Sequence, residues 1–406
     1  MRKKRNTFPS VLLAILSALG FLIGSGIAGI LILTTLPVQR GVDIPLISNE
    51  IFINFAIIFL SLTISMVNLF TFLSAVRYLR NKPSKPIRPI NASQKLILLI
   101  LWILSLTAGY FASQNPRWYP ALAGTTTIAI WLPILLLISI ARSGLPRSTH
   151  QRELGTITLG LSVAPGLIII LEFVLIFLIA IIIFILLGLQ NPLQAQVPQI
   201  LESLSNTEGG MQQLELVLFD FMKEPLIALG VFLALGVIAP MLEEIFKPMA
   251  IWFLLKRPLK DHEGYALGLI SGGAFALLES AGMVIQMNPA DWLAAVVLRA
   301  ATGVLHIGLS GIVGFGLVNS RKIRKPGRGV LFILLSGVLH GGWNSLALYS
   351  GLAAIPNITE PNRIAPNTGT IISIVLMVFI FIAIVAINFF INRFIRRNLH
   401  SNLPEN

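Results

Sequence analysis

The chain has 406 residues, 55% of them hydrophobic and 12% charged; a soluble domain carries about 25% charged residues, so the composition excludes an ordinary soluble globule and reads as a polytopic membrane protein. The formal charge of +13 would call for a nucleic-acid partner only if the basic residues formed a patch, and loops obeying the positive-inside rule account for the same excess. Zero cysteines exclude disulfides, thiolate metal sites and a cysteine nucleophile, leaving carboxylates, imidazoles, hydroxyls and amides for any chemistry.

In chain order, MRKKRNTFPS precedes an apolar stretch that reaches about Pro37. That stretch is longer than the roughly 7 to 15 residues of a signal h-region, so it predicts an uncleaved first helix whose start is cytoplasmic. Hydropathy predicts ten spans, near residues 8–37, 51–76, 96–113, 120–141, 155–188, 226–255, 264–287, 292–318, 329–352 and 370–392. With the N-terminus inside, the cytoplasmic segments take the basic residues from Arg77 to Lys95, Arg142 to Arg152, Lys256 to Lys260, Arg321 to Arg328 and Arg393 to Arg397. The opposite side holds only Arg40, Arg117, Lys223 and Arg363, and Lys247 and Arg299 fall within spans. This bias predicts an all-α, polytopic transmembrane helical bundle with both termini cytoplasmic, and it leaves no basic patch needing nucleic acid.

Spans one to four carry no ionised side chain in their interiors and read as a scaffold or lipid-facing unit. The segment KPSKPIRPI at 82–90 is a stiff extended connector. A boundary in the basic linker from Arg142 to Glu153 gives an N-terminal four-helix membrane unit over 1–154, a membrane core over 155–395 that carries the chemistry, and a cytoplasmic tail over 396–406. Span five contains Pro165, Gly166 and a lone Glu172, which reads as a protonated, hydrogen-bonded packing residue. The segment from about 190 to 225, with VPQILESL and MQQLELVLFDFM, has apolar residues at helical spacing and is expected to lie on the outer membrane surface as an amphipathic connector.

Span six, LIALGVFLALGVIAPMLEEIFKPMAIWFLL, holds Glu243, Glu244 and Lys247 in its middle. Each centrally placed charge costs roughly 2.5 to 3.5 kcal/mol to insert, so intramembrane ionisable groups read as functional. Pro240 and Pro248 bracket the cluster and break the helix where water could enter. On one helix Lys247 could reach either carboxylate, and two adjacent carboxylates resisting double ionisation can hold and pass one proton. That is what a general base that later acts as an acid requires.

Span seven carries Phe275 and Glu279 one turn apart, span eight carries His306, and span nine carries His340 and Asn344 on one face in VLHGGWNSL. Small residues let these helices approach: Gly268 and Gly272, then Gly337 and Gly341, stand at GxxxG spacing, and span eight has Gly303, Gly308 and Gly311. At about 1.5 Å per residue, Glu243, Glu279, His306 and His340 lie about 16 to 23 Å from the cytoplasmic ends of their spans. Four helices therefore bring polar groups to one layer, which scattered core residues would not do; taken alone, EExxK also reads as a salt-bridged structural cluster and His306 as a core histidine.

EExxK, FxxxE, a His on the next span and HxxxN on the one after resemble the ordered signature of PrsW-type intramembrane proteases, within the wider group that includes CAAX prenyl endopeptidases and bacteriocin-processing proteases. The resemblance covers residues 226–352. It implies that Glu243 and Glu244 activate water beside Lys247, that Glu279 stands where the prenyl-endopeptidase branch has a His, and that His306, His340 and Asn344 complete the site. A water deprotonated at the glutamates would attack a peptide carbonyl, with histidine or Asn344 N–H groups stabilising the oxyanion. Alternatively His306, His340 and Glu279 bind Zn2+ or another divalent metal; HExxH is absent, so the sequence leaves metal or no metal open.

The implied partners are a membrane-anchored protein substrate, such as an anti-sigma factor, and the lipid bilayer, with no nucleic acid; the implied location is a bacterial plasma membrane. Two rival readings are a proton- or ion-coupled transporter, which carboxylate and histidine relays also mark, and a non-catalytic helix-binding scaffold. Spans one to four lack the repeated polar half of many transporters, and the intact Glu243 and Glu244 argue against a bare scaffold. Arg299 is expected to pair with a carboxylate or snorkel, without a chemical role.

Overall fold

A computed structural model describes residues 8–38, 48–82, 87–190, 224–359 and 368–401. The described residues are helical with no strand, and ten helices are long and apolar enough to cross a bilayer, matching the ten predicted spans in order. The expected amphipathic segment around 190–225 falls almost wholly outside the described residues, as do Arg40, Lys223, Arg363 and part of the 82–90 connector.

The elements are α1 (Phe8–Val38), α2 (Ser48–Leu79), α3 (Ala92–Ser113) and α4 (Tyr119–Ala141), then α5 (His150–Thr158) leading through a π-helical turn at Leu159–Val163 into α6 (Ala164–Gln190). Span six is built of α7 (Pro225–Phe232), a second π-turn at Leu233–Ile238, α8 (Ala239–Phe246) and α9 (Met249–Leu254). The last four helices are α10 (Asp261–Ile285), α11 (Trp292–Lys322), α12 (Pro326–Thr359) and α13 (Thr368–His400). Both π-turns run into a proline two residues beyond their last residue, Pro165 and Pro240. A proline has no N–H to give the preceding turn, so the wider turn relocates the mismatch instead of breaking the helix outright.

The chain forms two compact units. One comprises Met1–Pro165, Lys247–Phe332 and Ile384–Asn406; the other comprises Gly166–Phe246 and Ile333–Ala383. In the first, α10 and α11 are the spans most enclosed by protein. They pack antiparallel along glycines: a Cβ at Gly264 would lie 2.6 Å from Gly314 O, one at Gly268 2.2 Å from Ser310 O, and one at Gly272 2.2 Å from His306 O. No larger residue fits along that seam, and the register it fixes brings Phe275 and Glu279 to His306.

Around this pair, Trp292 Nε1 donates to Thr126 Oγ1 of α4 at 2.7 Å, while its ring fills the space a side chain would need at Gly109 of α3. Thr126→Val keeps the shape and orphans the indole N–H, so it is expected to cost about 1 to 2 kcal/mol, read as a lower melting temperature of the purified protein in detergent. The end of α13 is tied in by Asn388, which accepts from Tyr265 Oη at 3.0 Å and donates to Gly308 O at 3.2 Å. Asn392 donates to Ala141 O at 2.8 Å. Beyond α4, Arg142 clasps Glu153 with both terminal guanidinium nitrogens, at 3.1 and 2.5 Å. Burial and the Arg142 charge push the Arg147 guanidinium down from its ordinary value, and Glu153 opposes that shift.

Candidate active site

The first unit holds a row of charged and imidazole groups. Lys247 follows the end of α8 and precedes Pro248, a position at which helical backbone is disfavoured. The helix expected to continue from Glu243 through Lys247 therefore stops at Phe246. Ser271 Oγ donates to the freed Lys247 carbonyl. The Lys247 ammonium is fully buried, sits 4.5 Å from the centre of the Phe275 ring and lies 2.8 Å from His306 Nδ1. An ammonium can only donate, so Nδ1 accepts and the His306 proton sits on Nε2. That N–H faces Glu279 Oε2 at 2.6 Å.

Glu279 is held on its other side by Arg299, whose Nη2 is 3.0 Å from Oε1 and whose Nε donates to Ser280 Oγ at 3.3 Å. The row reads Arg299, Glu279, His306, Lys247. Phe275, read from sequence as ordinary packing, contacts both the ammonium and the His306 ring, the latter at 5.6 Å between centroids. Arg299 pairs with a carboxylate as expected, and that carboxylate is Glu279. The signal for the pair was an arginine buried in one span and a lone glutamate in the span before it.

The second unit holds the paired glutamates. They lie on α8, and His340 of α12 meets both: Nδ1 is 3.1 Å from Glu244 Oε1 and Nε2 is 3.7 Å from Glu243 Oε2. Glu244 is 0% and His340 1% exposed. A carboxylate accepts, so the proton of His340 sits on Nδ1 and the Nε2 lone pair faces Glu243. The 3.7 Å separation is too long for a hydrogen bond. Asn344, one turn beyond His340, turns instead to the π-turn and donates to Leu235 O at 3.3 Å. Close packing allows this: a Cβ at Gly341 would lie 2.1 Å from Gly236 O, and one at Gly337 2.1 Å from the Met241 sulfur. The lone Glu172 lies on α6.

Ten bilayer-length helices with buried carboxylate, imidazole and ammonium groups define a multispanning protein equipped for chemistry at membrane depth. Residues 154–385, more than half the chain, match the family model of the PrsW family intramembrane metalloproteases, and the chain belongs to that family. It is thus an integral, multi-pass intramembrane protease whose substrate is a membrane protein met in lipid. No curated protein matches the chain, and no solved structure does.

Proposed function

We propose that the chain hydrolyses a peptide bond of a membrane-anchored protein with water activated at Glu243, Glu244 and His340. The observation that carries this reading is the way His340 divides its two nitrogens between two glutamates, hydrogen-bonded to Glu244 and facing Glu243 at 3.7 Å. Glu244 sets the ring's tautomer and orientation. With no metal bound, Glu243, whose Oε2 faces the ring's other nitrogen, takes the proton of the attacking water and returns it to the leaving amine. The row in the other unit orients His306, with Glu279 and Arg299 behind one nitrogen and Lys247 on the other.

The family's name implies a metal, and the donors fit one. Zinc takes imidazole nitrogen and carboxylate oxygen, and two tetrahedral ligands at about 2.1 Å stand roughly 3.4 Å apart, close to the 3.7 Å between His340 Nε2 and Glu243 Oε2. We assign Glu243 and His340 as two of its donors, a role that takes the place of proton transfer at Glu243. Glu279, expected from sequence as a ligand, is held by the His306 N–H and by Arg299. When bound, such a metal lowers the pKa of its water and polarises the scissile carbonyl.

The proposed setting is a bacterial plasma membrane, with a single-span substrate of the anti-sigma-factor kind. The test is the native chain in proteoliposomes with single-span peptides labelled at both ends. Cutting at the anchor, abolished by chelator and restored by zinc, is the expected result. Cutting that ignores chelators would keep the glutamate chemistry and remove the metal. Proton or ion flux with no cutting of any anchored peptide would replace hydrolysis by transport.

A further inference from the structure

In an α-helix a carbonyl accepts from the N–H four residues on, and in a π-turn from the N–H five residues on. The turn at Leu233–Ile238 follows the wider rule, since the N–H of Ala239 donates to Ala234 O. Counting five from Leu235 reaches Pro240, which has no N–H. At membrane depth a carbonyl without a donor is costly, and a break at proline is tolerated where a neighbouring helix supplies one. Asn344 of α12 supplies it, with Nδ2 donating to Leu235 O at 3.3 Å. The approach is close on both sides: a Cβ at Gly341 would lie 2.1 Å from Gly236 O, and one at Gly236 2.3 Å from Ser345 Oγ. Three and four residues after Pro240 come Glu243 and Glu244, and one turn before Asn344 comes His340, which meets them.

We propose that Asn344 is a positioning residue: it caps the Leu235 carbonyl that Pro240 leaves open, and so fixes the π-turn from which Glu243 and Glu244 are presented to His340. The inference rests on the proposed hydrolysis at that cluster and takes Asn344 away from the reacting atoms. A π-turn adds one residue to the helical count, which rotates everything after it by about 100° about the axis. If the turn relaxed, the glutamates would swing off the His340 face. Asn344 thus acts on the carboxylates through the backbone that carries them, whereas an oxyanion donor would act on the substrate.

The two roles separate in a double-mutant cycle on the full-length protein. Pro240→Ala restores an N–H five residues after Leu235, so Asn344 is no longer needed there. Asn344→Leu is expected to lower kcat/KM on the order of tenfold or more in the native background, and by no more than about twofold in the Pro240→Ala background. An equal loss in both backgrounds would overturn the proposal, because an oxyanion contact does not depend on residue 240.

The melting temperature in detergent runs through the same cycle and needs no turnover. Asn344→Leu should lower it in the native background and leave it unchanged with Pro240→Ala. If no anchored peptide is ever cut, the thermal cycle still decides the role of Asn344 while the hydrolytic reading alone fails. Should Pro240→Ala not fold, Asn344→Asp takes its place: it sets a second acceptor against the Leu235 carbonyl and should melt below Asn344→Leu. Native melting temperatures for both variants would overturn the proposal.

Discussion

Glu244→Gln is expected to lower kcat by about 10^2 to 10^4 while the protein still folds. The carboxylate of Glu244 is fully buried and 3.1 Å from His340 Nδ1. As an acceptor it keeps the ring proton on Nδ1 and the Nε2 lone pair toward Glu243. Glutamine has the same shape, but its amide can donate to Nδ1 and so favours the tautomer with the proton on Nε2. An N–H would then face Glu243, and that carboxylate would be engaged by the ring in place of water. Because volume and hydrogen-bond count hardly change, the melting temperature should stay within a few degrees of native, which separates a tautomer effect from unfolding. Glu244→Ala is no substitute, since it leaves a buried His340 nitrogen with one partner fewer. Turnover within threefold of native for Glu244→Gln would remove Glu244 from the machinery.

The spans were legible because hydropathy sums over some twenty residues and tolerates local errors. Boundaries moved where a polar residue has a specific partner. Span ten was expected to end near 392, yet α13 runs to His400, and Asn392 on it donates to Ala141 O. Glu243, Glu244, Glu279 and the two histidines could be picked out because an ionisable group in an apolar run has few structural excuses. The partners were harder. Lys247 read as continuing the glutamates' helix, but the residue before a proline avoids helical backbone, and that its ammonium also lies beside His306 was not visible in the sequence. Asn344 read as a site residue, and its hydrogen bond to a backbone carbonyl is one that no side-chain pattern displays. The π-turns were invisible for a related reason: one extra residue in a helix changes its register and leaves its hydropathy alone. Pro240 was the available signal, since a proline leaves one carbonyl of the preceding turn without its helical donor.

Gly272→Ala is expected to destabilise the protein by about 3 kcal/mol or more, beyond the usual cost of overpacking, and to take activity with it. The Cβ it adds would lie 2.2 Å from His306 O, 2.7 Å from Ser310 Cβ and 2.8 Å from Ser310 Oγ. The first of these is backbone, so no rotamer change relieves it, and α11 must move away from α10. That movement acts on the pair the seam positions, because Glu279 on α10 meets the ring of His306 at 2.6 Å. Gly282 on the same α10 provides the control: a Cβ there meets nothing within 4 Å. Gly282→Ala should be neutral or stabilise by up to about 1 kcal/mol, as alanine for glycine does in an open helical site. One substitution at two positions of one helix is thus expected to shift the melting temperature in opposite directions, which propensity alone cannot do. If Gly272→Ala melts with or above the native protein, α10 and α11 are not in the close contact that brings Glu279 to His306.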